Sequence, residues 1–166
     1  MGITVADYID VRQRAKELGL PVTSHLAILP RGFGGSTPSQ DLVHEADAST
    51  VRKLLKAAGI DVQQVEPLDG RFPSVIQRSA EWLAPTIFVG SMFITQNPYA
   101  VQVALNVLAS YVSDLLKGRF PAPRVKVTIV VEQGKSKRCR RIDYEGPPSG
   151  LEAVADFLRE VHDELR

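Results

Sequence analysis

Seven cationic side chains, Arg124, Lys126, Lys135, Lys137, Arg138, Arg140 and Arg141, fall within eighteen residues, with only Glu132 and Asp143 among them as far as residue 143. Guanidinium groups hold carboxylate or phosphate oxygens through paired N–H donors, and a basic two-stranded ribbon is one way of meeting an acidic surface or a DNA groove. Lys126, Lys135, Lys137, Arg138, Arg140 and Arg141 are therefore the first candidate binding set. The competing reading is a protected edge, because lysine-rich strands also resist pairing with other chains. Aromatic interleaving of the kind that single-stranded nucleic acid favours is limited to Tyr144.

A second set lies in Arg31-Gly32-Phe33-Gly34-Gly35-Ser36-Thr37, after an apolar run that ends at Pro30. Backbone amides in such a loop approach anions closely, which makes Arg31, Gly34, Gly35 and Ser36 candidate ligand residues. The third glycine of a dinucleotide-binding turn is missing, as is the Gly-Lys-Ser/Thr of a phosphate-binding P-loop. The ordinary alternative is a surface loop. A third set, Ser91, Thr95 and Asn97, falls between a strand-like run and the start of a long apolar helix, where ligands of parallel sheets gather. Capping by Asn97 alone accounts for much of that segment. If loops 31–37 and 91–97 converge, one anion would face both.

Catalytic constellations are sparse. His44 sits in Asp41-Leu42-Val43-His44-Glu45-Ala46-Asp47, which lacks the His-Glu-x-x-His spacing of a zinc-binding helix and reads as a solvated loop. His25 begins an apolar strand, and His162 falls on the polar side of the last helix. Cys139 is flanked by Arg138 and Arg140, yet neighbours on a strand point to opposite faces, so a packing role outweighs a nucleophilic one. No Gly-x-Ser-x-Gly elbow or paired carboxylates stand out. The expectation is a non-enzyme without cofactor or metal.

The elements that must position these residues follow from periodicity. A helix is expected from a Thr4 cap to Leu18, stopped by Gly19 and Pro21. His25–Leu29 reads as a strand, and Asp47 or Ser49 caps a helix through Val51, Leu54, Leu55 and Ala58 that exits at Gly59. Ile60, Val62 and Val65 alternate like a strand, Val75–Leu83 suggests a short helix, and Thr86–Val89 a strand. Asn97 and Pro98 start a helix to Lys117 that should be the most buried one. Val125, Val127, Ile129 and Val131 alternate before a turn and a second run from Arg138 to Tyr144, giving a hairpin near 124–144. Leu151, Val154, Phe157, Leu158, Val161 and Leu165 mark a final amphipathic helix.

This order predicts a mixed α/β fold, one small mixed sheet with about four helices, in a single domain over 1–166. Pro121-Ala122-Pro123 is the best alternative boundary, although it would leave a piece too small to be comfortable alone. The chain has 166 residues, 44% of them hydrophobic, which suffices for one core without cross-links. One cysteine and no signal-like start point to a reducing, cytoplasmic setting. Pro98–Leu116 is too short and too regularly interrupted by polar residues for a membrane span. A net charge of +1 provides no global field for nucleic acid. The expected function is a non-catalytic adaptor engaging a protein partner, one with an acidic surface, through the basic hairpin, whose 138–144 strand could add to the partner's sheet. The alternatives are a small-molecule enzyme or nucleotide and anion sensor using 31–37 and 91–97, and then nucleic-acid binding by the hairpin.

Overall fold

The computed structural model describes residues 2–22, 25–35, 38–76, 81–97, 99–116, 124–133 and 138–163. Its centre is β8 (Arg124–Glu132), where the alternation turns Val125, Val127, Ile129 and Val131 to one face, all of them buried. β8 pairs antiparallel with β9 (Cys139–Gly146), Ile129 opposite Ile142; the connecting residues 134–137 lie outside the described ones. On its other side β8 runs parallel to β7 (Thr86–Val89), which pairs antiparallel with β2 (Leu26–Leu29). The short β4 (Gln63–Gln64) closes that flank parallel to β2.

The N-terminal segment departs from expectation. Gly2–Tyr8 is strand β1, not the start of a helix, and pairs antiparallel with β9 along its whole length. Ile3 and Val5 fall opposite Tyr144 and Ile142, so a two-residue period serves them better than a helical one. Helix α1 (Val11–Leu18) begins only after Asp10, whose carboxylate accepts from the Gln13 amide at 3.1 Å, and Gly19 ends it in the left-handed region. Strand β9 therefore has neighbours on both sides. Addition of 138–144 to a partner's sheet finds that edge already taken.

Ser74–Val75 and Glu81–Leu83 are strands, β5 and β6, where a helix was expected. β5 pairs with β3 (His44–Glu45) in a separate two-stranded sheet. β6 lies along β8 ahead of β7. From Leu83 to Ile87 the chain takes one residue more than β8 does from Lys126 to Ile129, and the extra residue falls at Ala84-Pro85, where proline has no N–H for the ladder.

Helices α2 (Ala48–Ala57), α3 (Ser91–Gln96), α4 (Ala100–Leu116) and α5 (Leu151–Asp163) contribute to the core on one face of the large sheet. α4 buries Val101, Ala104, Leu105, Leu108, Val112 and Leu116 along one stripe, while Val103 is exposed, so this helix is more one-sided than its composition suggests. Asp47 stands at the start of α2 without capping it; its carboxylate accepts instead from the Tyr111 hydroxyl of α4 at 3.3 Å. The opposite face carries α1 and the segments around Phe33, Leu42, Val65 and Phe72. No helix among the described residues is long and apolar enough to cross a membrane.

Candidate functional site

Arg31 follows β2 directly. Its Nε and Nη2 each donate at 2.8 Å to the Glu45 carboxylate of β3. Gly32 takes a positive φ of 89°, turning the chain so that Phe33 is buried while Gly34 and Gly35 stay nearer the surface. Gly34 packs against the phenol of Tyr8 at the end of β1, leaving no room for a Cβ. Arg141 comes from β9. Its Nε donates to Asp143 Oδ2 at 2.8 Å, and Thr128 Oγ1 of β8 donates to the other oxygen at 2.7 Å.

These residues border one cleft of about 360 Å³, with Arg31 and the Gly32–Gly35 turn on one side and Tyr8, Thr128 and Arg141 on the other. Thr86, just past the Pro85 break, and Leu29 complete its floor. Each guanidinium is held by a carboxylate, a charge-assisted arrangement that fixes its orientation, and the Glu45 partner of Arg31 lines the cleft as well. The pairs leave Nη1 of Arg31 and both Nη groups of Arg141 outside them. Burial pushes the Tyr8 phenol above its ordinary pKa, so at neutral pH it is a hydroxyl donor. Two guanidiniums, a phenol and the Thr86 hydroxyl in one small cleft, beside the Glu45 carboxylate, are donors suited to a carboxylate or phosphate.

The expected sets divide differently from their spacing. Arg31, Gly34 and Gly35 meet Arg141 from the basic run, but the described residues 31–35 and the 91–97 segment line separate clefts. Ser91–Asn97 is helical for most of its length rather than a loop. Ser91–Gln96 forms α3, and Asn97 ends it, with the Asn97 carbonyl accepting from Ala100 N at 3.1 Å ahead of α4. Thr95 Oγ1 donates back to the Ser91 carbonyl at 2.9 Å. Asn97 lines a second cleft with His25 and Gln96. Within the basic run, Lys126 and Arg138 are exposed, and Arg140 Nε lies 3.3 Å from Asp7 Oδ1. Lys135, Lys137 and Ser36 lie outside the described residues.

Beneath α1 lies a network that the sequence did not suggest. Glu132 is fully buried, and its carboxylate accepts from Arg12 Nε and Nη2 at 2.7 and 3.0 Å and from Ser91 N and Oγ at 3.3 and 3.2 Å. The hydrogen bond to Glu132 raises the pKa of Arg12 further, and the two side chains meet in a salt-bridge geometry at 2.7 Å. Cys139 is buried directly opposite Glu132, and burial pushes its thiol up to about 11, which removes thiolate chemistry at neutral pH. His44 is not solvated. It is buried with its ring edge against Phe72, and its Nε2 lies 2.6 Å from the Val65 carbonyl and 3.0 Å from Glu66 Oε1. No group of three or more metal-ligating side chains occurs among the described residues.

Tyr8, Thr86 and Thr128 are the cleft residues that sequence reasoning missed. Tyr8 was assigned to a helix, and Thr128 carried a weak signal as the polar partner in the alternation of β8. No protein-family model, curated protein or solved structure matches this chain.

Proposed function

We propose that the protein is a non-catalytic binding domain for a small anionic molecule, held in the cleft between Arg31 and Arg141. The observation that supports this reading most is that these two arginines, 110 positions apart, border one cleft with each guanidinium braced by its own carboxylate. Binding rather than turnover fits the side chains present, since the nearby thiol is buried and protonated and the Tyr8 phenol serves as a donor. A cytoplasmic setting belongs to the same proposal. The test is thermal unfolding of the whole chain against a panel of phosphate, sulfate, small carboxylates and mononucleotides. At ten times the dissociation constant a true ligand adds about 1.4 kcal/mol, or roughly 3–6 °C for a chain of this size. Stabilisation by a subset of anions, lost in Arg141→Ala, supports the reading. No stabilisation by any of them at millimolar concentration overturns it.

A second reading is capture of an acidic protein partner, for which the exposure of Lys126 and Arg138 is the supporting observation. Arg140 and Arg141 point to opposite faces of β9, so they do not form one patch. Replacing Arg138 and Arg140 by glutamate separates the readings, because anion stabilisation should survive while partner capture would not.

A further inference from the structure

The strand register extends the cleft into a longer surface. Residues directly opposite in adjacent strands share a face, and they form successive rows across β1, β9 and β8: Tyr8–Cys139–Glu132, Ala6–Arg141–Val130, Thr4–Asp143–Thr128 and Gly2–Glu145–Lys126. α1 covers the first row, where Cys139 and Glu132 are buried. Beyond it no described helix lies on this face, and Gly2, Thr4, Ala6, Glu145 and Lys126 are exposed. The third row is the junction. Asp143 holds both Arg141 of the cleft and Thr128, and it also borders a second depression of about 400 Å³ lined by Thr4, Lys126, Arg124 and Glu145.

We propose that the two depressions form one elongated site for a small molecule with an anionic group at each end. One end sits between Arg31 and Arg141, and the other between Lys126 and Arg124. The inference rests on the cleft reading above. Rows along a strand are two residues apart, a step of about 6.8 Å, and Arg141 lies two rows from Lys126 and three from Arg124, so the two anions should be roughly 14–20 Å apart. Charge selects the kind of occupant. Among the described residues, the two depressions are lined by the four cations Arg31, Arg124, Lys126 and Arg141, interleaved with Glu45, Asp143 and Glu145. That pattern suits two localised anions and opposes a continuous polyanion such as nucleic acid, which would meet a carboxylate beside nearly every cation. α5 does not neutralise the face, since its buried residues pack on the other side of the sheet.

The test is calorimetric titration of the full chain with methylphosphonate and with α,ω-alkanebisphosphonates of increasing length at low salt. The expected result is weak but saturable methylphosphonate binding and a length optimum at which the bisphosphonate binds at least roughly tenfold tighter, the gain of one further charged contact. Lys126→Ala should erase that advantage and Lys126→Arg should keep it. Lys126 is exposed, and unchanged melting temperatures establish that both variants fold. If methylphosphonate binds but no bisphosphonate binds tighter, or if Lys126→Ala leaves the advantage intact, the elongated site is wrong and the cleft reading stands. If no phosphonate binds at all, both fall.

Discussion

Gly34 lies against the phenol of Tyr8 so closely that a Cβ at residue 34 would overlap the hydroxyl end of the ring. This contact ties the glycine-rich turn after β2 to the end of the N-terminal strand. It requires glycine for space, whereas Gly32 requires it for backbone conformation. Gly34→Ala should therefore destabilise by about 1–3 kcal/mol, as overpacking does, and much less in a Tyr8→Ala background. A double-mutant cycle by urea denaturation checks this; equal costs in both backgrounds would show that the phenol is not the obstacle.

Glu132 joins α1 to the sheet and to the start of α3. Arg12→Met strands a carboxylate that has no exposure, so the loss should be about 3–5 kcal/mol. Arg12→Met combined with Glu132→Gln should recover a large part of it, because no buried charge remains. Denaturant midpoints of the three variants are the measurement, and a cost under about 1 kcal/mol for Arg12→Met would contradict the network's role.

Cys139 gives a pH dependence of defined sign. Its folded pKa is raised from 9.0 to about 11 by burial, so between those values the unfolded chain releases the thiol proton and the folded chain keeps it. The unfolded state then binds fewer protons and stability falls as pH rises through this window. The contribution is fully present below pH 9. Cys139→Ala should flatten the decline between pH 9 and 11 relative to wild type, leaving whatever Tyr8 and Tyr144 contribute, since burial raises both phenols as well. At pH 8 the thiol should react with a disulfide reagent only as fast as the chain opens. Prompt reaction in native buffer would mean that it is not buried.

Arg31→Ala and Arg141→Ala should each weaken phosphate binding roughly tenfold or more, the scale of a hydrogen bond to a charged group. Arg140→Ala, on the other face of β9, should leave affinity within about twofold. Fluorescence or calorimetric titration distinguishes the three. Equal losses in all three would mean that the effect is general charge rather than the cleft.

Much of the fold was legible because its signals are local. The alternation of β8, the run of β2, the Gly59 exit from α2 and the spacing of α5 all appear within a few residues. The N-terminal strand was not legible, because Val5, Tyr8, Val11 and Ala15 fit a helical stripe, and only pairing with a strand 137 positions away makes Gly2–Tyr8 extended. Ser74–Val75 and Glu81–Leu83 failed for the same reason, each depending on a distant partner. In the cleft, Arg31, Gly34, Gly35 and Arg141 stood out by residue type. Their convergence did not, since it depends on the sheet order that places β9 and β2 within reach of one another across β8 and β7. Glu132 was equally hidden, because a glutamate ending an alternating strand reads as solvated until α1 lies over it.

The most direct test of the cleft is a phosphate titration followed by two-dimensional proton–nitrogen NMR on the whole chain, reading the Gly34 and Gly35 amides and the Nε–H groups of Arg31 and Arg141. The account predicts saturable shifts at these four positions with one common dissociation constant, and little change around His25 and Asn97 in the second cleft. It would be contradicted by unsaturable drift at all of them, or by saturable shifts confined to the His25–Asn97 cleft.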